Sequence, residues 1–150
     1  MEKATKITAP KTRAKINLFL YFFIMLNVKS KMKPHKNLNA WIKIFEFVKD
    51  IYVVTERFPT EEKFGLISQM RRSAISVPVN IAEGAARKSN KEFIQFLHIS
   101  LGSLTELDTL ILLSKELGFL ESTDCEILID KLETIGKIIF GLIKSLDAKS

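Results

Sequence analysis

Few side chains in this sequence of 150 residues could carry out catalysis, and their spacing supports no catalytic site. The two histidines, His35 and His98, do not lie at a metal-ligand spacing, and no histidine stands near the single cysteine, Cys125, to act as its base. The sequence has no zinc motif, no phosphate-binding glycine loop and no dinucleotide-binding fingerprint. We therefore expect that the protein is not an enzyme and that it uses no metal, cofactor or small-molecule substrate.

Acidic residues could hold a divalent cation, and four of them lie in the central part of the chain: Glu83, Glu92, Glu106 and Asp108. Glu83 is spaced four residues from Arg87, however, and this spacing favours an ion pair along a helix. Glu92 ends the sequence Ser89-Asn90-Lys91-Glu92, which predicts a helix-capping box. The acidic residues therefore indicate helical structure more strongly than a metal site.

The charge of the chain is unevenly distributed. Lys and Arg number 23 against 17 Asp and Glu, for a net charge of +6. Residues 1–33 contain eight basic residues and one acidic residue, residues 34–91 contain ten and six, and residues 92–150 contain five and ten. Beyond residue 33 the chain thus has a positive half and a negative half. This asymmetry is compatible with contacts to nucleic-acid phosphates, with contacts between subunits, or with ordinary solvated surfaces.

The basic residues of the positive half cluster in and after the second predicted helix. We treat the following as candidates for contact with nucleic acid or with a carboxylate of another subunit: Arg71, Arg72, Arg87, Lys88 and Lys91.

Residues 1–31 form a basic and apolar leader ahead of a domain that we expect to span residues 32–150. As a helix, the apolar run from Ile16 to Val28 would reach about 20 Å, short of the ~30 Å hydrocarbon core of a membrane. The run ends in lysines instead of a small-residue cleavage site. Three interpretations stay open: a dispensable or disordered leader that precedes a true start at Met32, a membrane or export signal, and a folded element.

Composition indicates a folded protein without disulfides. Hydrophobic residues make up 47% of the chain and charged residues 27%, which excludes a disordered chain. A single cysteine cannot form an intrachain disulfide, and a lone thiol fits a reducing compartment. We therefore expect a cytoplasmic protein.

Apolar periodicity predicts four helices and no strands. The first helix is expected at about 38–57, with Asn37 as its N-terminal cap, and the second from 60 or 61 to 86, with a kink at Pro78. The third is expected at 89–117, with Gly118 after its end. The fourth is expected from 123 to the C-terminus, and it opens with a second capping box, Thr123 to Glu126. Short connections favour an all-α, antiparallel up-down-up-down four-helix bundle.

The first predicted helix has an unusually wide apolar arc made of two stripes. One stripe contains Leu38, Trp41, Phe45, Val48 and Tyr52, and the other contains Ile44, Phe47, Ile51, Val54 and Phe58. The arc is wider than one bundle face requires. It indicates either a deeply buried helix or a second contact to another subunit.

A run of residues in the second and third helices is distinctive enough to indicate a family. Its first part reads Phe58-Pro59-x-x-Glu62-x-x-Gly65-Leu66-x-x-Gln69-x-Arg71-Arg72-x-Ala74-x-Ser76. It continues as Asn80-Ile81-Ala82-Glu83-Gly84-x-x-Arg87, then Phe93-x-x-Phe96-Leu97-x-Ile99 and Leu101-Gly102-Ser103-x-x-Glu106-Leu107. Over roughly residues 32–147, the sequence resembles the four-helix bundle proteins encoded in intervening sequences of bacterial 23S ribosomal RNA genes.

The resemblance implies a bacterial, homopentameric ring of bundles without established biochemical activity. It also implies kinship with the accessory protein of diversity-generating retroelements, a basic pentamer that associates with a reverse transcriptase and with nucleic acid. RNA or DNA and a nucleic-acid enzyme are therefore the partners that the resemblance suggests, in an adapter role. The alternative is a structural or protein-interaction module whose charges pair between subunits and which binds no nucleic acid.

The match also suggests structural roles for individual residues. Asn80 and Glu83 are expected to satisfy polar groups that Pro78 leaves unpaired in the second helix. Gly84 and Gly102 lack a Cβ atom and are expected to let helices approach closely.

Overall fold

The computed structural model describes residues 34–148, and the leader and its three interpretations lie outside this part. Four α-helices follow one another: α1 Pro34–Thr55, α2 Leu66–Ala85, α3 Asn90–Glu116 and α4 Ser122–Asp147. A short 3-10 helix, Thr60–Phe64, connects α1 to α2, and the described residues contain no strand. The all-α prediction with four helices is confirmed.

Each helix packs against the next one in the sequence, and α4 packs against α1. One apolar core lies between the four helices, as expected for elements that each bury one stripe. Its largest fully buried apolar side chains are Phe47, Phe93, Ile51, Met70, Leu97, Leu107, Ile111, Leu128, Ile135 and Ile139.

α1 begins at Pro34, four residues before the predicted start, so the prediction of Asn37 as its cap is wrong. Proline suits the first turn of a helix because the N–H that it lacks has no helical partner there. Of its two apolar stripes, the one from Ile44 to Phe58 is buried. The other is buried at Trp41 and only half-buried further along, at Phe45, Val48 and Tyr52.

The second predicted helix is divided at Gly65. This residue has φ −98° and ψ −118°, outside the helical region, and separates the 3-10 helix from α2. The Glu62 carboxylate accepts a hydrogen bond from the Leu66 N–H at 3.1 Å, so the 3-10 helix provides a cap for the start of α2. α2 then continues through Pro78, which is buried.

The capping prediction is confirmed for α3 and wrong for α4. Ser89 and Glu92 form the expected capping box, and Gly118 after α3 has φ +75°. α4 begins at Ser122 with Glu121 as its cap residue, and no side chain closes the cap. The cap thus lies two residues before the predicted one, which places Thr123 inside the first turn, where it cannot act as the cap.

The polar face between α2 and α3 as a candidate functional site

Most residues of the family-like motif that are polar lie along one surface, where α2 meets α3. We call this surface the α2–α3 face, and it comprises Gln69, Arg72, Ser76, Asn80 and Glu83 of α2, Arg87 of the turn that follows, and Phe96, Ser103 and Glu106 of α3. The spacing of three or four residues in each helix places them in rows that run along the two helices.

The centre of the α2–α3 face is a hydrogen-bonded network. Ser103 donates to Ser76 across the interface, with 2.8 Å between the two Oγ atoms. The Asn80 amide donates to both the hydroxyl and the carbonyl of Ser76, each at 2.9 Å. The bond between Ser103 and Ser76 joins α3 to α2, and the two Asn80 bonds hold the Ser76 side chain and backbone within α2.

Next to Pro78, a second helix contributes to the polar contacts. The hydroxyl of Ser100, which is fully buried on α3, lies 3.2 Å from the Val77 carbonyl and 3.1 Å from that of Phe96. Asn80 bonds to Ser76 and not to the Ala74 carbonyl, which is the group that Pro78 leaves without its helical donor. Glu83, by contrast, pairs with Arg87.

Gly84 permits close packing, but Gly102 does not act in this way within the chain. A Cβ atom on Gly84 would lie 2.6 Å from Phe96 Cβ and 2.7 Å from Phe93 Cδ2. A Cβ atom on Gly102 would meet no atom within 4 Å, so the expected close approach of a neighbouring helix is wrong for this described bundle.

The structure does not bring the candidate cationic residues together as one exposed patch. Arg71 lies across the end of α1: its Nε donates to Thr55 Oγ1 at 2.8 Å and its Nη2 donates to the Tyr52 carbonyl at 3.3 Å. Its guanidinium also lies 4.6 Å from the centre of the Tyr52 ring. Arg71 therefore connects α1 to α2.

Arg72 and Arg87 lie on the α2–α3 face and have acidic neighbours. Arg72 donates to the Gln69 side chain at 2.9 Å and lies 3.5 Å from the Glu106 carboxylate. Arg87 pairs with Glu83, and its guanidinium stacks 4.6 Å from the centre of the Phe96 ring. Much of their charge is thus balanced inside the chain.

Lys88 and Lys91 are both exposed, Lys88 in the turn between α2 and α3 and Lys91 in the first turn of α3. Arg72 is exposed as well, whereas Arg71 and Arg87 are half-buried. Three of the five candidates therefore face solvent, and they do not lie next to one another.

The described residues contain no site with obvious catalytic chemistry. Cys125 is 3% exposed at the start of α4, and His98 is exposed on α3. Between residues 34 and 148, no group of three His, Cys, Asp or Glu side chains could hold a metal ion. Among the helices described, α3 is long and apolar enough to cross a membrane, a test that core helices of soluble proteins also pass.

Sequence reasoning missed the contribution of small polar residues in the interior. Thr55, whose hydroxyl accepts a hydrogen bond from Arg71, is buried. Four serines are buried as well: Ser73, Ser100, Ser103 and Ser114. Serines at core spacing within an apolar helix are the available signal, because Ser100 occurs between Phe93 and Leu104 on one stripe.

Comparison with known proteins gives a consistent result. Residues 36–141 match the family described as 23S rRNA-intervening sequence protein. A crystal structure from the S23 ribosomal protein family, of a protein of unknown function from Bacteroides thetaiotaomicron VPI-5482, is similar with a TM-score of 0.65 and 25% sequence identity. The match covers 70% of this chain and 98% of that one. No curated protein matches the chain.

The family match covers more than half of the chain, and it includes the motif residues that suggested the resemblance. The chain therefore belongs to the 23S rRNA-intervening sequence protein family.

Proposed function

We propose that the protein is a non-enzymatic interaction module that binds other copies of itself, in an adapter role. The observation that carries the proposal is that apolar side chains are exposed on the surface of α2 and α3. Apolar side chains at Ile75, Val79, Ile99 and Leu117 are 40–53% exposed, while the arginines beside them have partners within the chain. Exposed apolar surface with balanced charges is typical of protein interfaces, whereas phosphate contacts require available cations.

The proposed bundle has up-down-up-down connectivity. Two ion pairs to α4 support it. Asp50 of α1 pairs with Lys131. Arg57, which follows Asp50 by seven residues, pairs with Asp124, which precedes Lys131 by seven residues. Contacts between α2 and α3 follow the same rule. Val77 contacts Ser100, Arg72 contacts Glu106 and Met70 contacts Ser114. Residue numbers therefore fall along α2 as they rise along α3, as expected for antiparallel helices.

The proposed assembly is the homopentameric ring that the family resemblance implies. The half-buried stripe of α1, with Phe45, Val48 and Tyr52, supports a second contact for this helix outside its own bundle. The buried lone thiol of Cys125 supports a cytoplasmic location.

Multi-angle light scattering on the full chain tests this function. We expect a mass of five times 17.1 kDa at micromolar concentration. A mass of 17.1 kDa across the concentrations tested would overturn the proposal.

A second candidate function is association with nucleic acid, and the exposure of Lys88 and Lys91 favours it. Their replacement by alanine in one double variant is expected to weaken the binding of a fluorescent RNA and to flatten its dependence on salt. The matched control is the double variant Lys137→Ala/Lys144→Ala, which removes two exposed charges from α4. RNA binding that is absent, or equal in both variants, would reject this candidate.

A further inference from the structure

Among the apolar side chains that the described residues leave exposed, two groups form continuous surfaces along helices. The first lies between α1 and α2, and we call it the α1–α2 groove: Phe45, Val48, Tyr52, Ile75 and Val79. The second runs along the outer side of α3, and we call it the α3 outer stripe: Ile99, Gly102, Glu106, Leu113 and Leu117.

The contact between Arg71 and Tyr52 locates the α1–α2 groove. These two side chains meet where α1 ends and α2 begins. Ile75 and Val79 follow Arg71 at steps of four residues along α2, while Val48 and Phe45 precede Tyr52 at steps of four and three along α1. With the proposed antiparallel connectivity, the two rows run beside each other. The floor of the groove is half-buried, and Ile75 and Val79 on its edge are 40% and 53% exposed.

The α3 outer stripe has a regular helical spacing. Its residues follow each other at intervals of three, four, seven and four positions, which keeps them on one side of the helix over about 27 Å. Ile99, Leu113 and Leu117 are 51%, 44% and 50% exposed. At Gly102 a neighbouring backbone could approach closely, since a Cβ atom there would meet nothing within 4 Å.

The charges around the two surfaces are complementary. Lys49 and Arg71 lie at the α1–α2 groove together with Glu56, and Glu116 borders the α3 outer stripe. Arg72 lies between the two surfaces, where it pairs with Glu106 of the stripe in the same chain. The same asymmetry holds for the two halves of the chain, since residues 34–91 carry ten basic and six acidic side chains and residues 92–150 carry five and ten. A contact of the groove with itself, or of the stripe with itself, would bring like charges together.

We propose that the α3 outer stripe of one copy docks into the α1–α2 groove of the next copy. This inference rests on the proposed function, and it specifies which surfaces bind. The contact joins two different patches, so it is head-to-tail, and each copy can use its groove and its stripe at once. Such contacts generate closed rings or open filaments, whereas a contact between identical patches ends at a dimer. Arg72 and Glu106 form a weak, exposed ion pair within one chain, so in the assembly each can pair instead with a charged residue of the neighbouring copy.

Complementation between two damaged variants of the full chain tests the proposal. Ile75→Glu/Val79→Glu places negative charge in the groove, and Leu113→Lys/Leu117→Lys places positive charge on the stripe. Each variant alone is expected to sediment as a single chain of 17.1 kDa. A 1:1 mixture is expected to form particles of at least twice that mass, because the intact stripe of the first variant fits the intact groove of the second. The control Ile127→Glu/Phe140→Glu alters α4 at sites 51% and 61% exposed, and it is expected to keep the wild-type mass.

Several outcomes would overturn the inference. If the wild type is oligomeric and either variant keeps its mass, the surfaces are wrong while the proposed function stands. If both variants are monomeric and their mixture stays monomeric, the contact is not head-to-tail. If the wild type is itself monomeric, the proposed function fails as well. Circular dichroism checks folding, and if a double variant loses its helices, Val79→Glu and Leu117→Lys replace it with the same expected results.

Discussion

The interface between α2 and α3 differs in kind from the interface between α1 and α4. Between α2 and α3, Ser76, Asn80 and Ser103 are linked by hydrogen bonds, and Gly84 leaves no room for a Cβ atom beside Phe93 and Phe96. α4 forms one surface ion pair with α1, Asp50–Lys131, and one with the turn after α1, Arg57–Asp124, above the shared apolar core. Small residues and hydrogen bonds tolerate few alternatives, whereas an apolar core accepts many residues of suitable volume.

This difference fits the location of the motif that indicated the family, most of which lies in α2 and α3. Residues whose replacement leaves a clash or an unpaired polar group are constrained individually, so they form a recognisable pattern. The apolar residues of α1 and α4 are constrained mainly as a set. Mutations should therefore affect the α2–α3 interface more strongly than the α1–α4 interface.

The largest effect is expected for Gly84→Ala compared with Gly136→Ala. The new Cβ atom at Gly84 would clash with Phe93 and Phe96, and we expect the free energy of unfolding to fall by about 2 kcal/mol. At Gly136, on α4, the Cβ atom would meet nothing within 4 Å, so better helix propensity should add about 1 kcal/mol. Urea denaturation measures both values. Equal effects at the two glycines would contradict the asymmetry between the interfaces.

Removal of the Arg71 guanidinium is expected to have the next largest effect. Arg71→Met keeps the apolar stem but loses the hydrogen bonds to Thr55 and Tyr52 and the contact with the Tyr52 ring. We expect a loss of about 2 kcal/mol in unfolding free energy. Arg72→Met is the matched control, with an expected change below about 0.5 kcal/mol because the Arg72 side chain is 71% exposed. If Arg72 proved the costlier of the two, the assignment of Arg71 as the connection between α1 and α2 would be wrong.

The hydrogen bond between Ser76 and Ser103 should appear as a coupling energy. In a double-mutant cycle of Ser76→Ala and Ser103→Ala, we expect a coupling of about 1 kcal/mol, because the two hydroxyls contact each other across the interface. Thr105→Ala and Thr109→Ala provide the control cycle, since their hydroxyls bond to backbone carbonyls on exposed α3 surface. Additive effects of the two serine substitutions would show that the network does not hold α2 to α3.

The smallest effects are expected between α1 and α4. Lys131→Met and Arg57→Met each remove one partly exposed ion pair, and each should cost less than about 1 kcal/mol. The cost should also shrink in high salt, since screening weakens exposed pairs. Thermal unfolding in 50 mM and 1 M salt gives this comparison. A cost above that of Gly84→Ala would reverse the order of the two interfaces.

Local signals predicted much of the fold, while tertiary contacts determined what the sequence could not reveal. Ser89, Glu92 and Gly118 act within one helical turn, so the limits of α3 followed from the sequence. The starts of α2 and α4 did not, because Glu62 caps α2 from the preceding 3-10 helix and Asp124 pairs with Arg57 from the turn after α1.

The same distinction applies to the candidate site. Arg71 and Arg72 are adjacent in the sequence, yet one lies against α1 and the other faces solvent. Gly84 and Gly102 both lie inside helices, and only the neighbouring helix decides which of them needs the space. No periodicity carries this information, since it depends on which surface of each helix meets another.

Native mass spectrometry of the full chain tests the central claim most directly, namely that copies of this bundle bind one another through surfaces left open by the fold. A closed ring predicts one dominant species at five times 17.1 kDa, with the same stoichiometry over a range of concentrations. A single species at 17.1 kDa at every concentration would contradict the claim.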